Sequence, residues 1–512
     1  MESNTHKPII SLISQALGYG SGILGRQLVI YISLPFFTNH MPQAEFGLVS
    51  FAVAIIAFVN TLTIAGLHAA IFRFYHDSDD PDTKRDVLGS SLLMLTVFAA
   101  LPASGFLLFA RPLAHAFLGD SAYVPVIQLA ATLMMVDTLV NYGYILLRIQ
   151  IRPLATSLSN VWIVVAQMGI ALVLVYVYGL GAVGYLAGLL MGETLGLALL
   201  IFLTRRMLSL RISRQAMGRL LRYGLPLLPV SLSLWALNLA DRVLIGQMAG
   251  LDQLAIYEVG YKMGALVTLA IAPFGTAWPP FAFAVMRKPN AQAIYRDVLT
   301  YLLFISLLFA LGLLAFKSEI LRQLAPASYA AALSVVVWIA LAQVFQAAYM
   351  VLSIGPKISK RTSDLVIMTV LAAAIYLALN VVLIPQMGIL GAAIATAVGY
   401  GLLSFASYGM GQRSYPFSLD WVRLLKLALA ASASYLLISL VDGAGFSGWV
   451  YYLGKAGAWL SFLLISLLIG VVTLSQMCNL WHAQYLRQNL VTGDFRKSRK
   501  NSSHFSLIFE QI

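Results

Sequence analysis

Stretches of about 20 apolar residues recur along the whole chain, and they leave few folds open. A helix needs about 20 such residues to cross the hydrocarbon core of a bilayer. In lipid, every backbone N–H and C=O must be satisfied inside the crossing element. Fourteen stretches follow one another, near 11–37, 46–70, 87–110, 125–147, 154–178, 182–204, 224–248, 255–283, 298–316, 329–353, 365–384, 389–409, 424–441 and 451–474. Only 10% of the 512 residues are charged while 60% are hydrophobic, against about 25% charged in a soluble domain. A water-soluble chain of this size would lack the polar surface to cover itself. The expected fold is an all-α integral membrane protein with about 14 transmembrane helices. The first stretch follows a short polar start, Met1 to Lys7, and is too long for a signal-peptide core, so it reads as a retained helix. The single cysteine, Cys478, excludes an internal disulfide framework and a cysteine-based metal cluster.

The basic residues orient these spans. With a cytoplasmic N-terminus, 26 of the 33 lysines and arginines fall in cytoplasmic segments. Only Arg111, Lys317 and Arg322 fall outside, and Arg26, Arg242, Lys262 and Lys455 lie within spans. A bias that alternates loop by loop follows the positive-inside rule and places both termini in the cytoplasm. The net charge of +13 is thus a topology signal spread over many loops, and no nucleic-acid partner is expected. The tail run Arg496-Lys497-Ser498-Arg499-Lys500 either touches anionic headgroups or is a solvated end.

Displacing the chain by 207 residues aligns Thr61, Leu62, Ile64 and Ala65 with Thr268, Leu269, Ile271 and Ala272, and Gly181, Gly184 and Gly192 with Gly388, Gly391 and Gly399. Each copy holds six spans, an even number, so both enter the membrane the same way round. The expectation is two parallel six-helix lobes related by a pseudo-twofold axis, residues 1–207 and 208–414, with two accessory helices in 415–476 and a tail at 477–512. Transporters built from such repeats bind substrate between the lobes and alternate access by rocking them.

Ionisable groups inside the membrane are costly and mark function or pairing. Arg26 lies in a glycine-rich first span (Gly18, Gly20, Gly22, Gly25) that Pro35 is expected to break. Its charge cannot be shed, and it points to an anionic ligand group or to a structural partner. Asp137 and Glu193 sit near the middles of the fourth and sixth spans. Asp137 has hydrogen bonding within its bundle as the alternative to a role in transport, and Glu193 is flanked by Gly188, Gly192 and Gly196 in a pattern for close helix packing. Asp241 and Arg242, about 100° apart on a helix, are not expected to face each other, and each needs a partner elsewhere; Arg242 beside Glu258 is one match. Glu258 and Lys262 have the favourable i, i+4 spacing of a helical ion pair. Arg73 ends the second span as an interfacial anchor or a ligand gate.

The chain has no phosphate loop, HExxH, GxSxG or CxxC pattern, and its seven histidines are scattered. Neither an enzyme nor a metal or cofactor site is expected. Gly25-Arg26 … Pro35, Glu45-Phe46-Gly47 and Gly66-Leu67 … Arg73-Phe74-Tyr75 form one ordered pattern. It continues in Tyr223-Gly224-Leu225-Pro226-Leu227-Leu228-Pro229, in Asp241-Arg242 and in Tyr257 … Tyr261-Lys262. Its last part is Asn380-x-x-Leu383-Ile384-Pro385-x-x-Gly388-Ile389-x-Gly391-Ala392-Ala393-x-Ala395-Thr396 … Gly399-Tyr400. Together, over about 12–410, these resemble the polysaccharide-unit (O-antigen, Wzx-type) flippase family of the multidrug/oligosaccharidyl-lipid/polysaccharide exporter superfamily.

The resemblance implies a carrier in the bacterial cytoplasmic (inner) membrane that moves an undecaprenyl-pyrophosphate-linked oligosaccharide to the periplasmic leaflet. Membrane lipids, polysaccharide polymerase and chain-length machinery would be its partners, with H+ or Na+ as the coupling ion. Arg26 is then the first candidate for the anionic head, followed by Arg73, Arg242 and Lys262. Glu193, Asp137, Asp241 and Glu258 are candidates for ion coupling, and Gly25, Pro35, Pro226, Pro229 and Pro385 for hinges or close packing. A lipid II flippase, a cation-coupled multidrug exporter and a non-transporting scaffold remain as alternatives.

Overall fold

The computed structural model describes residues 6–471 apart from Ala65, Lys288 and 359–361. Cys478 and the basic run at 496–500 lie outside the described residues, as do Lys288, Lys360 and Arg361 of the orientation pattern. Every element among the described residues is helical. Thirteen helices are long and apolar enough to cross a membrane, and the long helix His6–His40 precedes them.

With that helix as the first, the second to sixth are Gln43–His76, Pro81–Leu108, Ser121–Ile149, Pro153–Val177 and Gly181–Thr204. The seventh to twelfth are Arg214–Met248, Leu251–Gly275, Ala291–Ala315, Ala332–Ile358, Ser363–Met387 and Ile389–Arg413. The thirteenth and fourteenth are Trp421–Gly443 and Gly448–Leu468. Each expected span has its helix, and the chain is a multi-pass membrane protein. The seventh starts earlier than its apolar stretch because an amphipathic helix, Arg214–Gly224, runs into it with Ala216 and Leu220 buried.

Contacts divide the chain into one unit ending at Leu419 and another beginning at Asp420. In the first, the helices form two lobes whose repeat is visible in the backbone. Gly181 and Gly388 adopt φ of 51° and 58° where the sixth and twelfth helices begin, a conformation that costs a side-chain-bearing residue free energy and glycine little. In the second unit, Lys455 is fully buried, and its ammonium lies 3.1 Å from Asp442 and 4.3 Å from the Tyr451 ring centre. Arg423 and Lys426 donate to the carbonyls of Val471 and Ile469, beyond the end of the fourteenth helix, where cations offset the helix dipole.

Proline placement differs from the expectation at one point. Pro35 does not break the first helix, which continues to His40. A proline denies only one i→i−4 hydrogen bond, here to Tyr31, and this one lies within two turns of the helix end. Pro226 sits in a 3-10 turn, Leu225–Leu227, and Pro229 in the first turn of Leu228–Trp235, where no N–H is needed. Pro385 lies inside the last turn of the eleventh helix. The third helix begins at an Asp80 cap, whose carboxylate accepts from Thr83 N at 2.9 Å and Thr83 Oγ1 at 2.7 Å. Those bonds hold its carboxyl below the usual aspartate range.

Candidate functional site

Close helix approach sets up the N-terminal half of the site. A Cβ on Gly22 would lie 2.6 Å from Ser157, and one on Gly25 would lie 2.7 Å from Val161 Cγ2. Only glycine lets the first helix lie this tightly on the fifth. The glycines flanking Glu193 act likewise: added Cβ atoms at Gly188, Gly192 and Gly196 would meet Ala171, Gln167 and Ile163 of the fifth helix at 2.4, 2.4 and 2.5 Å. These contacts fix the first and sixth helices against one neighbour and hold Arg26 and Glu193 at set depths.

Arg26 is exposed and makes no ion pair among those found in the described residues. Its guanidinium lies within electrostatic reach of Asp137, Glu193 and Tyr144. The Asp137 and Glu193 carboxyls lie within side-chain interaction range of each other. Asp137 Oδ2 accepts from Asn60 Nδ2, and Asn60 Oδ1 accepts from Thr138 Oγ1 at 3.2 Å. Glu193 Oε2 is buried with no hydrogen-bond partner. Two facing carboxyls and one nearby guanidinium make a site able to exchange a small cation or to hold an anionic group at Arg26.

The other charged group lies in the C-terminal lobe and is closed on itself. The seventh helix contains a π turn, Ala236–Ala240, directly before Asp241. Such turns re-aim side chains and gather at functional positions. Asp241 is fully buried and Arg242 is 4% exposed. Contrary to the helical-wheel expectation, Arg242 Nη1 folds back onto Asp241 Oδ1 at 2.7 Å. Both residues lie in the regular helix Asp241–Met248, so the long arginine stem supplies the reach. Arg242 Nε also donates to Glu258 at 3.2 Å, the match foreseen from sequence, and Nη1 donates to Asn238 O at 2.8 Å. The guanidinium lies 3.7 Å from the Tyr261 ring centre. Lys262 completes the chain at 3.3 Å from Glu258. Asp241 Oδ2 accepts from Tyr257 OH, with Thr396 Oγ1 at 3.5 Å.

The two lobes meet where the first helix ends and the second begins. Tyr31 OH donates to Lys262 O at 2.8 Å, Thr38 Oγ1 to Leu324 O at 2.7 Å, and Gln43 Nε2 to Ser328 O at 3.1 Å. Gln247 Nε2 donates to Phe117 O at 2.7 Å. A Cβ on Gly47 would lie 1.9 Å from Leu251 O, so the second and eighth helices are in backbone contact there. Lys262 also lies 5.2 Å from the Phe46 ring centre. Glu45 caps the start of the sixth helix by accepting from Ala182 N at 2.8 Å. Glu45-Phe46-Gly47 therefore serves capping, cross-lobe contact and close approach in three successive residues.

Arg73 stands apart from both groups. It is exposed, 4.7 Å from the Tyr223 ring centre and 3.8 Å from Asp77. Asn60, Tyr257 and Thr396 are polar participants that a search for charge passes over. Tyr257 and Tyr261 stand one turn apart beside Glu258 and Lys262, and that spacing was the available signal.

The family profile described as Polysaccharide biosynthesis protein matches residues 14–286. The chain belongs to that family. No curated protein matches it. Among solved structures, the chain resembles "Lipid II flippase MurJ, inward closed conformation" with a TM-score of 0.69 at 14% identity, covering 90% of this chain and 98% of that one. It also resembles an inward-facing multidrug resistance MATE family transporter of the MOP superfamily, with a TM-score of 0.59 at 16% identity over 79% of this chain and 94% of that one. A MOP superfamily transporter from Pyrococcus furiosus matches with a TM-score of 0.58 at 15% identity, over 79% of this chain and 95% of that one. At these identities the likeness concerns the fold. These solved structures are of a flippase and of transporters.

Proposed function

We propose that this member of the polysaccharide biosynthesis family is a flippase for a polyprenyl-pyrophosphate-linked oligosaccharide, working by alternating access between its two lobes. The observation that carries the reading is Arg26, an exposed arginine within a helix of the lobe core that makes no ion pair among those found in the described residues. A guanidinium donates two parallel hydrogen bonds to phosphate oxygens, which suits a pyrophosphate head. The family match supports a polysaccharide precursor as cargo. Asp137 and Glu193 are the proposed coupling pair: binding a proton or a sodium ion there would change the charge facing Arg26 and link ion occupancy to anion release. The charges of Asp241, Arg242, Glu258 and Lys262 offset one another, which supports a role in holding the C-terminal lobe together over direct head-group binding. Residence in a bacterial inner membrane with both termini in the cytoplasm completes the proposal, and it rests on the loop charges.

Complementation tests it. A strain deleted for this gene, with no redundant flippase, is scored for surface polysaccharide with wild type, Arg26→Ala and Arg26→Lys. Loss with alanine at normal membrane levels, and partial rescue by lysine, is expected. Unchanged polymer in the deleted strain contradicts the proposal and turns attention to drug export, which the facing carboxyls of Asp137 and Glu193 would suit.

A further inference from the structure

Away from both charged groups, a cleft of about 600 Å³ opens between the fourth-to-fifth connection and the end of the sixth helix. Arg152, Arg205 and Arg206 line it with Tyr75, Gln150 and Phe202. All three arginines are exposed, none appears in an ion pair with an acidic residue among those found in the described residues, and no aspartate or glutamate lines the cleft. Three converging guanidiniums without a counter-charge repel one another in the absence of an anion.

Two further observations concern the turn that supplies Gln150 and Arg152. Ile151, between them, has φ of 53°, the non-glycine residue at positive φ among the described residues. A β-branched side chain resists that conformation, and backbone held in it gathers at ligand-binding sites. The Oε1 of Gln150 is buried with no hydrogen-bond partner, and either orientation of the amide would leave one polar group there for a ligand. The apolar surroundings are equally specific. Ile151 and Phe202, each 60% exposed, flank the arginines, and the Arg205 guanidinium stands 4.9 Å from the Phe202 ring centre.

We infer that this cleft is a binding site for the phosphate head of a membrane-borne lipid, with the hydrocarbon chain running over Phe202 and Ile151. Arg205 and Arg206, at the end of the sixth helix, also offset its dipole, and all three arginines contribute to topology. Those roles need positive charge alone, whereas bidentate phosphate recognition needs the guanidinium fork. The phosphate comes either from an anionic phospholipid of the leaflet or from a polyprenyl pyrophosphate. The inference stands independently of the transport reading, since it concerns equilibrium binding.

The test is native mass spectrometry of the detergent-purified full chain with phosphatidylglycerol, phosphatidylcholine, farnesyl pyrophosphate or inorganic pyrophosphate. Wild type is expected to retain one more phosphatidylglycerol than the triple variant R152Q/R205Q/R206Q. R152K/R205K/R206K, which keeps the charge and serves as the folding control, is expected to bind about tenfold more weakly than wild type. Displacement of phosphatidylglycerol by farnesyl pyrophosphate at far lower concentration assigns the site to the prenyl-linked substrate; absence of displacement assigns it to leaflet lipid. Equal retention by wild type and the lysine variant overturns guanidinium recognition. Displacement by inorganic pyrophosphate as effective as by farnesyl pyrophosphate overturns the lipid assignment. If the glutamine variant does not fold, R205Q alone carries the same comparison.

Discussion

Replacing Gly47 by alanine tests the cross-lobe seal by a single methyl group. A Cβ at that position would lie 1.9 Å from Leu251 O and 2.7 Å from the carbonyl carbon, whereas real Cβ contacts essentially never fall below 3.0 Å. The second and eighth helices must therefore separate by at least 3.0 − 1.9 = 1.1 Å. The obstacle is backbone, so no side-chain rotation relieves it. Overpacking of this kind costs about 1–3 kcal/mol. Applied to the closed arrangement alone, that changes the closed-to-open ratio roughly 5–150-fold. Tyr144→Cys, beside Arg26, in a Cys478→Ser background would report opening through its labelling rate by a membrane-impermeant maleimide added from the Gly47 side. Gly47→Ala is expected to raise that rate by a factor in this range. Gly105→Ala, with nothing within 4 Å of its added Cβ, is expected to leave it unchanged. Equal rates in Gly47→Ala and wild type, with both proteins folded, would refute the reasoning.

Three other perturbations follow from the structure. Arg242→Met leaves Asp241 buried without an ion-pair partner and Glu258 with Lys262 alone; a loss of about 3–5 kcal/mol is expected, read as a lower unfolding midpoint and partly recovered by adding Asp241→Asn. A single variant as stable as wild type would contradict the network. Ile151→Gly removes a side chain from a left-handed residue that is 60% exposed, so a gain of about 1 kcal/mol is expected, and a fall in midpoint would exclude strain at that turn. The Asp80 carboxyl is depressed by its bonds to Thr83; its stabilising effect is present above the ordinary aspartate range and lost as pH falls through the depressed value. Hydrogen exchange at the start of the third helix should therefore quicken on acidification in wild type and not in Asp80→Asn.

The spans were legible in the sequence because lipid imposes a length and an apolar composition that leave little freedom. Gly181 and Gly388 were legible as a repeat, and the structure gives both a positive φ, 51° and 58°. The Arg242–Glu258 and Glu258–Lys262 pairs followed from cost and spacing. The Asp241–Arg242 contact did not, because a helical wheel gives the direction in which side chains leave the axis and not how far a long arginine can fold back; both residues lie in regular helix, Asp241–Met248. Pro35 misled for another reason: its effect depends on how much helix follows, and here little does. Asn60 carries no charge, so nothing local distinguished it from the many neutral polar residues of a helical bundle; Thr396 stood in the last part of the resemblance pattern, which gave it no role. The cleft at Arg152, Arg205 and Arg206 was hidden inside the topology signal. Sequence counts those charges on one side of the membrane and cannot show that they converge.

Translocation by purified protein in liposomes tests the central claim most directly. Lipid-linked oligosaccharide is incorporated during reconstitution, and its appearance on the opposite leaflet is followed with an externally added glycosidase or lectin. The account predicts translocation by wild type under a proton or sodium gradient, little by Arg26→Ala, and loss of gradient dependence in Asp137→Asn/Glu193→Gln. Wild-type rates from Arg26→Ala would contradict the proposal that this arginine handles the anionic head. Absence of translocation by folded wild type under either gradient would contradict the flippase reading itself.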